Sequence, residues 1–149
     1  MFDWPILCKY ELICFSLSAH LESKMDRQQI FDYSKKKYGT TPEYLWARYP
    51  SYAVLRHQDN EKWYGIVMDV PKDKLGLQGT DVIDILDVKC DPVMIDMLRQ
   101  SSGFLPGYHM NKTNWISILL DGTVSDDQIL DLLDMSYQMT AKKKKQRVE

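Results

Sequence analysis

Residues 106–115 read Pro-Gly-Tyr-His-Met-Asn-Lys-Thr-Asn-Trp and gather more ligand-capable side chains than any other stretch of the chain. His109, Asn111, Lys112 and Asn114 stand between two aromatics, Tyr108 and Trp115, directly after a Pro106-Gly107 bend. Such a segment reads as a shaped loop entering a strand, and loops held by a rigid scaffold are where binding groups are displayed. Two readings are open. Arg56, Lys89, His109 and Lys112 converge at one edge of a sheet, where Tyr108 or Trp115 stacks on a base or on a partner's side chain. Alternatively, the short polar side chains satisfy the loop's own backbone.

Other chemistry has less to work with. Cys90 and His109 could form a nucleophilic pair, with Cys90 just before a helix start that would lower its pKa, but a lone cysteine is more often a small buried hydrophobe. The histidines His20, His57 and His109 and the three cysteines have neither Cys-x-x-Cys nor His-x-x-x-His spacing, so no metal site is expected. The seven glycines never assemble into a phosphate-binding turn. Asp126, Asp127, Asp131 and Asp134 read as the start and solvent face of a helix. No catalytic residue and no cofactor is expected, and the chain reads as a non-enzyme.

Its 149 residues suit one domain. Residues 25–141 carry twelve basic and seventeen acidic side chains, a net of −5, and residues 142–149 carry five basic and one acidic, a net of +4. DNA affinity comes mainly from neutralising phosphates, so the acidic domain lacks the bulk field of a strong DNA binder. The lysine run at 142–145 reads as a solvated tail, with contact to nucleic acid or membrane as the alternative. Three cysteines, Cys8, Cys14 and Cys90, make an odd set without disulfide spacing and point to a reducing, cytoplasmic setting. No apolar run reaches membrane-spanning length, and Asp3 and Glu11 interrupt what would be a signal peptide.

The elements that must position the loop are signalled locally. Residues 1–24 show no clean period and read as an extension outside the domain, or as a start assigned upstream of Met25. Asp26 then caps a helix that stops at Gly39. Strands are expected at 52–57, 63–70, 82–90 and 114–120, the first two forming a hairpin, with a loop at 71–80. Apolar residues fall on both faces of the third strand, which leaves its buried side undecided. Asp91-Pro92 opens a helix to about residue 100, and Ser125 with Gln128 forms a capping box for an amphipathic last helix.

Four blocks in order, Val88-Lys89-Cys90-Asp91-Pro92, Pro106 to Lys112 with Trp115, Leu120-Asp121-Gly122 and Ser136-Tyr137, resemble the MmcQ/YjbR family. The likeness covers about residues 25–141. Two departures are Tyr49-Pro50-Ser51-Tyr52, where the family often has Pro-Phe-Gly, and the longer loop at 71–80. The resemblance implies an α+β two-layer sandwich: an antiparallel sheet of four to six strands with N-terminal, middle and C-terminal helices packed on it. It also implies a DNA-binding role with weak duplex contact, which on this chain falls at Lys89, His109, Asn111 and Lys112; the sheet-edge reading of the residues adds Arg56, Tyr108 and Trp115. The alternative is a monomeric adaptor that holds a protein partner in a sheet face or groove, favoured if aromatics among Tyr44, Trp46, Trp63 and Tyr64 are exposed.

Overall fold

The computed structural model describes residues 24–144, so the expectations for residues 1–23 and for the end of the tail lie outside it. Three helices form where local signals place them. In α1 (Arg27–Tyr38) the Asp26 carboxylate accepts from the Gln29 amide at 2.8 Å, and the Gln29 side chain accepts from the Asp26 amide at 3.0 Å. Gly39, at φ 68°, ends it by turning its N–H back to the Lys35 and Ser34 carbonyls. Asp91 caps α2 (Pro92–Leu98) through the Val93 amide at 2.9 Å, and that helix is shorter than the expected run to residue 100. Ser125 caps α3 (Asp126–Thr140).

Five antiparallel strands make one open sheet in the order β1-β2-β3-β5-β4. β1 is Ala53–Arg56, β2 Trp63–Pro71, β3 Val82–Lys89, β4 Phe104–Pro106 and β5 Trp115–Leu119. The four expected strands are present, with ends differing by a residue or so. β4 is an addition, and it takes Pro106 out of the expected loop and into the sheet. Proline has no amide hydrogen to donate, so it fits an edge strand. The other edge, β1, is shielded by a bridge between Glu43 and Val54.

All three helices pack on one face of the sheet, where Ile30, Phe31, Ile95, Ile129 and Leu133 meet Leu55, Val67, Leu86, Val88 and Ile116. This is the α+β two-layer arrangement. The opposite face is also apolar, with Tyr52, Val54, Ile66, Met68, Ile83 and Ile85 buried beneath Leu75 of a short 3-10 helix (Lys72–Leu75) and the loop residues Tyr108 and Met110. The two-sided burial answers the ambiguity of β3: its central residues have apolar neighbours on both faces, which removes the alternation a half-solvated strand would show.

Between β1 and β2 the register jumps from Leu55↔Gly65 to Arg56↔Trp63 and leaves Tyr64 unopposed, a β-bulge. The bulge breaks the alternation and puts Tyr64 on the same face as Gly65, whose Cα looks toward Leu133, Leu55 and Leu86. Trp63 joins the loop-covered face, while Tyr64 is fully buried on the helix face, 4.9 Å from the Tyr137 ring and 5.3 Å from the His57 ring. His57 Nε2 lies 3.1 Å from the Tyr137 carbonyl and 2.9 Å from Thr140 Oγ1. A carbonyl can only accept, so Nε2 carries the hydrogen, and burial pulls the imidazole pKa below its ordinary value.

Candidate functional site

The loop after β4 is built tightly against β5. A Cβ at Gly107 would lie 2.8 Å from the Trp115 carbonyl oxygen and 2.9 Å from Trp115 Cβ, so only glycine lets the two segments approach. The Tyr108 amide donates to Ser117 Oγ at 2.9 Å, and His109 sits in the left-handed region at φ 60°. The Asn111 side chain accepts from the Thr113 amide, and its carbonyl accepts from Trp115 N–H, both at 2.9 Å. Lys112 Nζ donates to the Gly107 carbonyl at 3.0 Å. Asn111 and Lys112 thus close their own loop, as the second of the two sequence readings held.

The strand register sets Arg56, Lys89, Trp115 and the loop at the same end of the sheet, because Arg56 pairs with Trp63 and Lys89 with Trp115. They do not form one basic patch. Arg56 and Trp115 are three strand spacings apart, about 14 Å. Arg56 is paired with Glu43, a contact that raises its pKa, and Lys89 is only half-exposed. Trp115 is buried at 9% exposure, which removes it as a surface stacking platform. Cys90 belongs to the helix-side core, and burial raises its thiol pKa. His109 opens on the other face of the sheet, so the structure does not bring the Cys90–His109 pair together. Among the described residues, no three metal-capable side chains converge.

A groove of about 400 Å³ opens on this side, and its lining includes Trp46 and Trp63, two of the aromatics that the sequence reading linked to a sheet face or groove. Tyr52, Ile66 and Met68 form its floor. Trp46, Tyr49 and Trp63 form its walls, and His109 and Met110 its mouth. Two turns position the first wall: the Tyr49 amide donates to the Trp46 carbonyl at 3.2 Å, and the Tyr52 amide to the Tyr49 carbonyl at 3.1 Å. Tyr49 then stacks on Tyr52 at 4.7 Å, and Trp46 meets Trp63 edge-on at 5.7 Å. Of the four aromatics whose exposure would favour an adaptor, Tyr44 and Trp46 are exposed, Trp63 is half-buried in the groove wall and Tyr64 is in the core. The available signal was the cluster of aromatics between residues 44 and 52 in a segment with no helical or strand period.

Beneath the loop lies a buried polar cluster. Asp87 is fully buried, with one oxygen 2.5 Å from Ser117 Oγ and the other without a hydrogen-bond partner. Ser117 Oγ accepts from the Tyr108 amide and lies 3.2 Å from the Pro106 carbonyl. One hydroxyl hydrogen cannot serve both Asp87 and Pro106. The conflict disappears if Asp87 is protonated and donates to Ser117, which then donates to Pro106. The electrostatics agree: desolvation pushes the Asp87 pKa up to about 8, against the opposing pull of the Ser117 hydrogen bond and the Lys112 charge.

Comparison with known proteins places the chain in a family. It is 49% identical over 116 residues to YyaQ of Bacillus subtilis (strain 168), covering 78% of this chain and 98% of that protein. YjbR of Escherichia coli (strain K12) is 41% identical over 54 residues, 36% of this chain and 46% of the relative. Both carry names that mark them as uncharacterized. A crystal structure of a Pseudomonas syringae protein superposes with a TM-score of 0.77 at 44% identity, covering 78% of this chain and all of that one. A family model described as YjbR matches residues 35–139, and the chain belongs to the YjbR family.

Proposed function

We propose that this protein is a non-enzymatic, monomeric cytoplasmic binding module whose loop-covered sheet face holds an apolar segment of a protein partner. The observation that carries the reading is the groove itself: Trp46 and Tyr49 remain 36% and 48% exposed above the buried Ile66 and Met68. Large aromatics left open beside a concave apolar floor are what a partner's anchor residue covers. Met68 and Met110 add side chains that adjust to anchors of different shape. No helix among the described residues is long and apolar enough to cross a membrane.

Peptides selected from a random display library on the full chain are expected to carry an aromatic or long aliphatic anchor. Because both wall residues are partly exposed, the double variant Trp46→Ala, Tyr49→Ala should fold and weaken the selected peptide about ten-fold or more. Selection without an apolar anchor, or an unchanged affinity in the double variant, overturns the reading.

DNA contact at the 107–114 loop is a second reading, supported by the exposed Lys112 and by Lys89 at the same end of the sheet. Its support is thinner, since Lys112 is bonded within the loop and Arg56 is engaged by Glu43. It predicts salt-sensitive duplex binding that Lys112→Ala weakens. Fluorescence anisotropy at low ionic strength decides it, and an unchanged affinity in the variant ends the idea.

A further inference from the structure

Beside the groove, and sharing Tyr49, Tyr52 and His109 with it, is a second hollow of about 260 Å³ lined also by Arg48 and Lys74. The two recesses form one continuous surface, apolar at one end and cationic at the other. Arg48, Lys74 and His109 are all exposed. The ion pairs among the described residues are Arg27–Asp84, Lys37–Asp134 and Arg56–Glu43, so neither Arg48 nor Lys74 has a carboxylate partner within 4.0 Å. The one acid in this lining, Asp69, is partly offset by Arg27, whose charge is favoured first by its hydrogen bond to Asp84 and also by Asp69 itself.

Residues 25–141 have a net charge of −5, yet the hollow next to the aromatic groove gathers two unpaired cations and an imidazole. A general basic surface would be expected to spread. A local one, joined to an apolar pocket, matches a ligand that has the two characters side by side. From this charge complementarity, and resting on the groove reading above, we infer that the partner segment carries an Asp or Glu within a few residues of its apolar anchor. The anchor fills the space between Trp46, Tyr49 and Trp63, and the carboxylate faces Arg48 and Lys74.

The test runs the same display selection on the wild-type chain and on the Arg48→Glu, Lys74→Glu variant. Both positions are exposed, so the fold should be kept, and circular dichroism confirms it before selection. The wild type should enrich acidic residues next to the anchor, and the variant should lose that preference or favour Lys and Arg. The best wild-type peptide should bind the variant about ten-fold more weakly at low ionic strength, with the gap narrowing as salt is added. An apolar anchor without acidic neighbours overturns the charge inference and leaves the groove reading standing. Acidic enrichment that persists in the variant overturns the assignment to Arg48 and Lys74. No apolar anchor in either selection overturns both readings.

Discussion

Replacing Gly107 with alanine is expected to lower the unfolding free energy by about 2–3 kcal/mol and to lift the 107–114 loop from the sheet. The new methyl would meet the backbone of Trp115, with its carbonyl oxygen at 2.8 Å and its carbonyl carbon at 3.0 Å, and backbone cannot step aside as a flexible side-chain tip can. Trp115 is itself fixed in β5, paired with Lys89. The loop must therefore move, taking with it Tyr108 over the sheet face and His109 and Met110 at the mouth of the groove. Urea denaturation gives the stability, and titration with the selected peptide gives the second effect, a weaker complex. A loss below about 1 kcal/mol with unaltered peptide affinity would show that the close approach is not needed.

Asp87 should make the protein less stable as pH rises from about 4 to about 8, by something on the order of 3–5 kcal/mol. The sign follows from proton counting. The unfolded carboxyl titrates near its ordinary value of 3.8 and the folded one near 8, so between these values the folded state holds more protons. Raising the pH then favours the unfolded chain, and the slope vanishes above the folded pKa. His57 acts in the opposite direction, since its lowered pKa makes stability fall as pH drops below the ordinary histidine value of 6.5. The Asp87→Asn variant separates the two. Its amide can donate to Ser117 as the protonated acid does, so it should match the wild type near pH 5 and exceed it near pH 9. Parallel pH profiles for the two proteins in thermal melts would refute the buried neutral acid.

How far the chain discloses itself follows from the range of the interactions involved. Asp26, Asp91 and Ser125 bond to amides two or three residues away, and Gly39 turns its amide back on the helix it ends, so these boundaries were legible. Phe104–Pro106 was not, because three residues ending in proline become a strand only when β5 lies beside them. The loop from Pro106 to Trp115 identified the family, but its polar side chains alone could not show that Asn111 and Lys112 turn inward. The groove was least legible of all. Its walls and mouth come from Trp46, Tyr49, Trp63, His109 and Met110, and its floor from Tyr52, just before β1, with the alternate positions Ile66 and Met68 of β2, segments that sequence adjacency does not connect.

The bulge at Tyr64 makes the two sides of the sheet independent at this point. Without it, neighbouring positions 63 and 64 would keep strict alternation with Ile66, and Tyr64 would fall on the groove side. With it, a substitution at Trp63 acts on the groove wall, while one at Tyr64 acts on the packing with His57 and Tyr137. Most of the remaining rim is carried by two loops, so side chains there can be exchanged without disturbing the packing of the helical layer.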